Sequence, residues 1–152
     1  MRITSAVEYA TRAMIQLSEL SGSETLSAEK LSEAENIPRD FIDQLMLKLR
    51  RSGLVASRRG AQGGYALAKP ASAISLGMVM RAVEDNVFDV VCDRLAVRKQ
   101  DCRHSSDCGI RPVWRKLGLV VEGFLDKVTI DQIASEETCV DARVQKLFGP
   151  HA

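Results

Sequence analysis

Between Leu54 and Ala68, two short alternating segments, Leu54-Val55-Ala56-Ser57-Arg58-Arg59 and Tyr65-Ala66-Leu67-Ala68, flank Gly60-Ala61-Gln62-Gly63-Gly64. Alternation on both sides of a glycine-rich turn that tolerates positive φ predicts an antiparallel hairpin. The same glycines do not suit a phosphate-cradling loop, because no Lys-Ser or Lys-Thr follows and a strand-like run stands where a helix would begin. Just before the hairpin come two helices. Ser27 caps the first, with Glu29 near its positive end, and this helix runs to about Glu35. After a break at Asn36-Ile37, Pro38 suits the first turn of the second, where Phe41, Ile42, Leu45 and Leu49 share one stripe up to Gly53. Two helices joined by about three residues make a helix-turn-helix. A hairpin immediately after it is a wing, so the expected fold is mainly α, with a winged helix-turn-helix over residues 1–70.

On either side the pattern is helical. Ile3, Ala6, Ala10, Ala13, Met14, Leu17 and Leu20 mark a first helix that ends near Gly22, with Glu8, Arg12 and Glu19 on its opposite face. Ser75 caps a short helix carrying Leu76, Val79, Met80 and Val83, which leads into a polar loop at about Asp85. From Pro112 the apolar residues Trp114, Leu117, Val121, Phe124, Leu125 and Val128 recur at helical spacing, which predicts about four turns of a long C-terminal helix. Such a stripe needs a partner, and a homodimer formed through this helix is expected. Thr129-Ile130-Asp131-Gln132 reads as a capping box that opens a last short helix. Residues 71–138 are expected to complete the same compact domain. Residues 139–152 show weak periodicity and are expected to form a poorly ordered tail.

Charge narrows the function. The net charge is only +1, yet Lys48, Arg50, Arg51, Arg58, Arg59 and Lys69 fall in a stretch with no acidic residue. Coinciding with the helix-turn-helix and wing, this block points to double-stranded DNA. A helix entering the major groove presents its N-terminal side chains, here Arg39, Asp40, Asp43 and Gln44, and the wing brings Arg58 or Arg59 to the flanking groove or phosphates. Gln44 suits an adenine edge. Asp40 and Asp43 repel phosphate and suit choice of sequence; the bland alternative is that they solvate an exposed helix face. The opening MRITSAVEYATRAM lacks the apolar core and cleavage site of a signal peptide, and no run of about 18 apolar residues occurs, so a cytoplasmic protein without a membrane partner is expected. The two histidines, His104 and His151, stand in loop and tail, where no nucleophile-base-orienter set can be assembled; an enzyme is not expected.

The polar loop holds Cys92-x9-Cys102-x5-Cys108, three of the four cysteines; Cys139 stands apart in the tail. In a reducing compartment three clustered thiols point to metal or redox chemistry rather than a disulfide framework. Thiolates are soft ligands for zinc or iron-sulfur clusters, and closed zinc sites usually use paired C-x2-4-C knuckles, which are missing here.

The opening MRITSAVEYATRAM, the block IPRDFIDQLMLKLRRSGLVASRRGAQGGYALAKP and the three-cysteine loop together resemble the Rrf-two family of bacterial winged-helix regulators. The resemblance covers about residues 1 to 135 and is position by position over the first 69. It implies a homodimer on a palindromic operator and an iron-sulfur cluster, two-iron or four-iron, held by Cys92, Cys102, Cys108 and a variable fourth ligand. It also implies DNA contacts from Asp40, Asp43, Gln44 and Arg59. One branch of the family takes a histidine three residues after the last loop cysteine, where this chain has Arg111; another takes a carboxylate from the first helix, across the dimer, where this chain has Glu8. Some two-iron redox sensors with that glutamate add a histidine one turn later, and here Arg12 stands there. Glu8 is the expected fourth ligand and His104 its rival; the alternative for Glu8 is an i,i+4 ion pair with Arg12. The function implied is a regulator, expected to be a repressor, that senses redox state, nitric oxide or the supply of iron or clusters. A zinc-stabilised winged-helix module that binds proteins is the competing reading.

Overall fold

The computed structural model describes residues 3–60, 63–84, 108–135 and 137–149. Cys92, Cys102 and His104 lie outside the described residues. The first helix, α1 (Ser5–Ser18), is capped by Thr4 and carries Val7, Ala10, Ala13, Met14 and Leu17 on its buried face. Around it pack α2 (Ala28–Glu35), α3 (Arg39–Arg51) and α4 (Leu76–Val83). The serine caps expected at Ser27 and Ser75 are present, accepting from the N–H groups of Lys30 and Met78.

The turn between α2 and α3 is set by Asn36, the only non-glycine among the described residues with positive φ (52°), which ends α2 in the left-handed region. Ile37 then drops into the core at 2% exposure, while Ser32 exchanges hydrogen bonds with it: the Ile37 N–H donates to Ser32 O and Ser32 Oγ donates to Ile37 O. Pro38 starts α3, whose Ile42, Leu45, Met46 and Leu49 are all buried.

The wing is β1 (Val55–Arg58) paired antiparallel with β2 (Gly64–Leu67), Val55 opposite Leu67 and Arg58 opposite Gly64. The far edge of β2 is covered by an isolated bridge in which Leu26 and Tyr65 exchange both backbone hydrogen bonds. This close approach explains Gly64, because a Cβ there would stand 2.5 Å from the Leu26 carbonyl oxygen.

After a short 3-10 turn at Ala71–Ala73 and α4 comes the long helix α5 (Arg111–Lys127), then α6 (Ile130–Ile133), opened by the expected Thr129–Gln132 capping box. The end of α5 is clamped to α4. Arg81 pairs with Asp126 at 2.5 Å, the Leu76 N–H donates to Val128 O, and the Ile130 N–H donates to Ile74 O. The tail departs from expectation. Residues 137–148 form a helix, α7 (Glu137–Phe148), which Arg143 ties to the Gln132 carbonyl oxygen. Val140, Val144 and Leu147 do fall at i, i+4 and i+7, a stripe of only about two turns that the expectation of a poorly ordered tail passed over. No helix among the described residues is long and apolar enough to cross a membrane.

Candidate DNA interface and metal-ligand face

With one face of α3 buried, the helix presents Asp40, Gln44, Leu47 and Arg51 outward, one turn apart. Arg39 and Asp43 flank this row and bond each other, Nε to Oδ2 at 3.1 Å, with both side chains about half exposed. Of the four expected base-reading residues, then, two arrive pre-paired. Asp40 and Gln44 are exposed, with no side-chain hydrogen bond or ion pair among the described residues.

The basic block is less uniform than its composition. Arg58 reaches back to the Ser23 carbonyl oxygen at 2.7 Å, Arg50 bonds Ser57 Oγ at 3.4 Å, and Lys48 donates to Val83 O at 2.8 Å. Arg59, at the wing tip beside Gly60 (φ 124°), is exposed and has no such bond among the described residues. Between the two wing arginines the geometry therefore favours Arg59 as the free cation. These long-range commitments have no signature in the sequence, because each joins residues 7 to 35 positions apart.

On α1, the i,i+4 pair of Glu8 with Arg12 does not form. Arg12 turns instead to Glu35 at the end of α2, with Nε 2.7 Å from Oε2 and Nη2 2.9 Å from the carbonyl oxygen, and its guanidinium lies 6.0 Å from the Tyr9 ring centroid. Tyr9 in turn meets Phe41 of α3 edge-on at 5.6 Å. The partner that wins is the one that also offers a helix C-terminal carbonyl, a favourable place for a cation. Glu8 is left exposed, its carboxylate without a hydrogen bond or ion pair among the described residues.

Cys108 is half-buried just ahead of α5, and Cys139 is exposed on α7. Among the described residues no three His, Cys, Asp or Glu side chains gather into a metal-binding group. Of the expected ligands, Glu8 and Cys108 can be placed in the fold.

The long stripe on α5 divides. Leu125 and Val128 are buried and Val121 and Phe124 pack against the core, so this end needs no outside partner. Ile110, Val113, Trp114, Leu117 and Val120 continue the same face and remain exposed, Trp114 by 37% and Val113 by 58%.

A helix-turn-helix, a hairpin wing with a free arginine and a recognition helix presenting polar side chains define a winged-helix DNA-binding protein. Residues 3–136 match the family model described as Rrf2, an iron-dependent transcriptional regulator, and the chain belongs to that family. It is 33% identical over 141 residues to the regulator IscR of Pectobacterium carotovorum, covering 93% of this chain and 84% of that one. A second relative, a putative HTH-type transcriptional regulator of Haemophilus influenzae, is 32% identical over 136 residues, covering 90% and 88% of the two chains. The solved structure of CymR, the global cysteine regulator of B. subtilis, superposes with a TM-score of 0.69 at 27% identity, covering 88% of this chain and 96% of that one. The family and these relatives are transcriptional regulators, not enzymes.

Proposed function

We propose that this chain is a cytoplasmic, homodimeric transcriptional repressor whose affinity for a palindromic operator depends on an iron-sulfur cluster held by Cys92, Cys102 and Cys108 with Glu8 of the partner copy as fourth ligand. The observation that carries the reading is the state of Glu8: Arg12 is drawn away to Glu35, and the carboxylate stands exposed and uncommitted on α1. Cys108, half-buried at the start of α5, fits a thiolate ligand partly shielded from water. When bound, the cluster supplies one-electron and ligand-exchange chemistry, and a carboxylate is its hardest and most exchangeable corner. The chain's own residues do the rest. Asp40 and Gln44 meet base edges, Arg59 meets the backbone beside them, and the exposed end of the α5 stripe meets its copy.

Purification without oxygen, visible spectroscopy and operator binding test this together. Wild type is expected to be coloured and to change operator affinity when the cluster is removed. Alanine at Cys92, Cys102 or Cys108 is expected to abolish the colour; Glu8→Ala is expected to leave a labile or altered cluster and an affinity that no longer follows its state. Colourless wild type containing zinc would replace the cluster with a structural zinc site, as in the competing zinc-stabilised reading. Unchanged colour and affinity in Glu8→Ala, with loss of the cluster in His104→Ala, would move the fourth ligand to the loop.

A further inference from the structure

Two side chains from different helices converge on the last turn of α4. Lys48 Nζ, near the C-terminal end of α3, donates to Val83 O at 2.8 Å. The next residue, Glu84, accepts from Thr4 Oγ1 at 2.5 Å, and Thr4 is the cap of α1. The Glu84 N–H closes the helix on Met80 O at 2.9 Å. The Val83 carbonyl is one of those a helix end leaves unsatisfied, and an ammonium is well placed there. Lys48 also sits in the last turn of its own helix, so a single cation serves the ends of both.

We infer that Lys48 is a positioning residue for DNA recognition: its bond to Val83 sets where α3 lies on α4 and makes operator affinity respond to the Val83–Glu84 junction. The apolar contact between α3 and α4 is non-directional and permits small slides. A hydrogen bond to a backbone carbonyl has a preferred length and angle and selects one placement. Thr4 holds the junction from the other side, so a displacement of the chain at Glu84 breaks the Lys48 bond or carries α3 with it. Glu84 lies eight residues before Cys92 in the chain, and Thr4 caps the helix that carries Glu8. This role of Lys48 rests on the regulator reading and places the point where a signal from either ligand reaches the recognition helix.

The test is a double-variant cycle on metal-free, full-length protein, using a duplex selected by wild type from a random-sequence pool and a series of salt concentrations. Glu84→Ala and Lys48→Met are each expected to weaken binding about three- to tenfold, and the double variant no more than about twofold beyond the weaker single, as residues of one network couple. Lys48→Met is expected to leave the salt slope unchanged and Lys48→Arg to regain most of the affinity. Multiplying effects, or no effect of Glu84→Ala, overturn the inference. So does a salt slope lowered by about 0.9 in Lys48→Met, which marks a direct phosphate contact. Should Glu84→Ala not fold, Glu84→Gln takes its place in the cycle. Colourless wild type would overturn the cluster assignment without touching the coupling measured on metal-free protein. Should metal-free wild type select no duplex, the cycle is run on anaerobically purified protein, and a wild type that selects none in either state overturns both.

Discussion

Helices α3 and α5 are both amphipathic, 13 and 17 residues long, but they finish their burial differently. The apolar face of α3 is closed within its own chain, with Ile42, Met46 and Leu49 at 0% exposure. The face of α5 is closed only from Val121 onward; its first half ends in exposed Val113, Trp114 and Leu117. Neighbours account for the difference. α3 is enclosed by α1, α2, α4 and β1, whereas the contacts of α5 are concentrated on α4 at its C-terminal end, where Arg81–Asp126 and the Val128–Leu76 bond hold it. Burial of α3 is thus a matter of folding, whereas in the proposed dimer burial of the first half of α5 is one of association.

The largest effect expected from this contrast is a change in which equilibrium a truncation disturbs. Met46→Ala should lower subunit stability by about 2–5 kcal/mol at any protein concentration, through the cavity it leaves. Leu117→Ala should leave the isolated subunit within about 0.5 kcal/mol of wild type, as exposed positions usually do. Its cost should appear in self-association, because each Å² of apolar surface withdrawn from water is worth about 25 cal/mol. Urea unfolding across a concentration series, beside sedimentation, separates the two. If Leu117→Ala destabilises the protein equally at every concentration with no change in sedimentation, the face of α5 is covered within one chain and the contrast collapses.

The two helices were also unequally legible. For α3 everything needed was local: Pro38 to start it, a four-residue stripe, Gly53 beyond its end. The wing was nearly as plain, since Gly60 and Gly63-Gly64 stand as punctuation between alternating runs and no helix start follows them as a phosphate loop would need. The stripe of α5 was visible too, but periodicity names an apolar face without naming what covers it, and half of this one is covered by α4. The side-chain commitments were the least legible. Glu8–Arg12 was the natural local pair at i,i+4, and the fold replaced it with Arg12–Glu35 because α1 crosses the end of α2. Lys48 counted as one more charge in a basic block, and only the proximity of α3 to α4 shows its partner. The helix at 137–148 was missed although Val140, Val144 and Leu147 mark a face, because a stripe of about two turns amid polar residues is a weak signal.

A smaller effect separates the wing arginines, which composition treats as equals. Arg59→Ala should weaken operator binding at low salt and reduce the slope of log affinity against log salt by about 0.9, the signature of one lost phosphate contact. Arg58→Ala should leave that slope nearer wild type, since its guanidinium is held by the Ser23 carbonyl, and should act instead by loosening the wing from the segment before α2. Equal slopes for the two variants would mean that the Ser23 contact is given up on binding.

The smallest expected effect lies on α3 itself, in the Arg39–Asp43 pair. Both side chains are about half exposed, so water and salt screen the pair, and an exposed i,i+4 ion pair contributes only about 0.3–0.5 kcal/mol. The coupling energy from Arg39→Ala, Asp43→Ala and the double variant should be of that size for folding and should fade as salt rises. On DNA the pair can act in either of two ways. If Arg39 stays with Asp43, it shields bases and phosphates from an acidic side chain, and Asp43→Ala releases a cation, so binding should tighten modestly on every duplex. If instead the pair opens so that Asp43 accepts from a cytosine, Asp43→Ala should relax discrimination at a single base position by about 1–3 kcal/mol while leaving the others alone. Binding of Asp43→Ala to single-base variants of the selected duplex distinguishes a uniform gain from a loss at one position. A uniform gain leaves Asp40 and Gln44 as the proposed reading pair of α3, and a loss at one position adds Asp43 to the proposal.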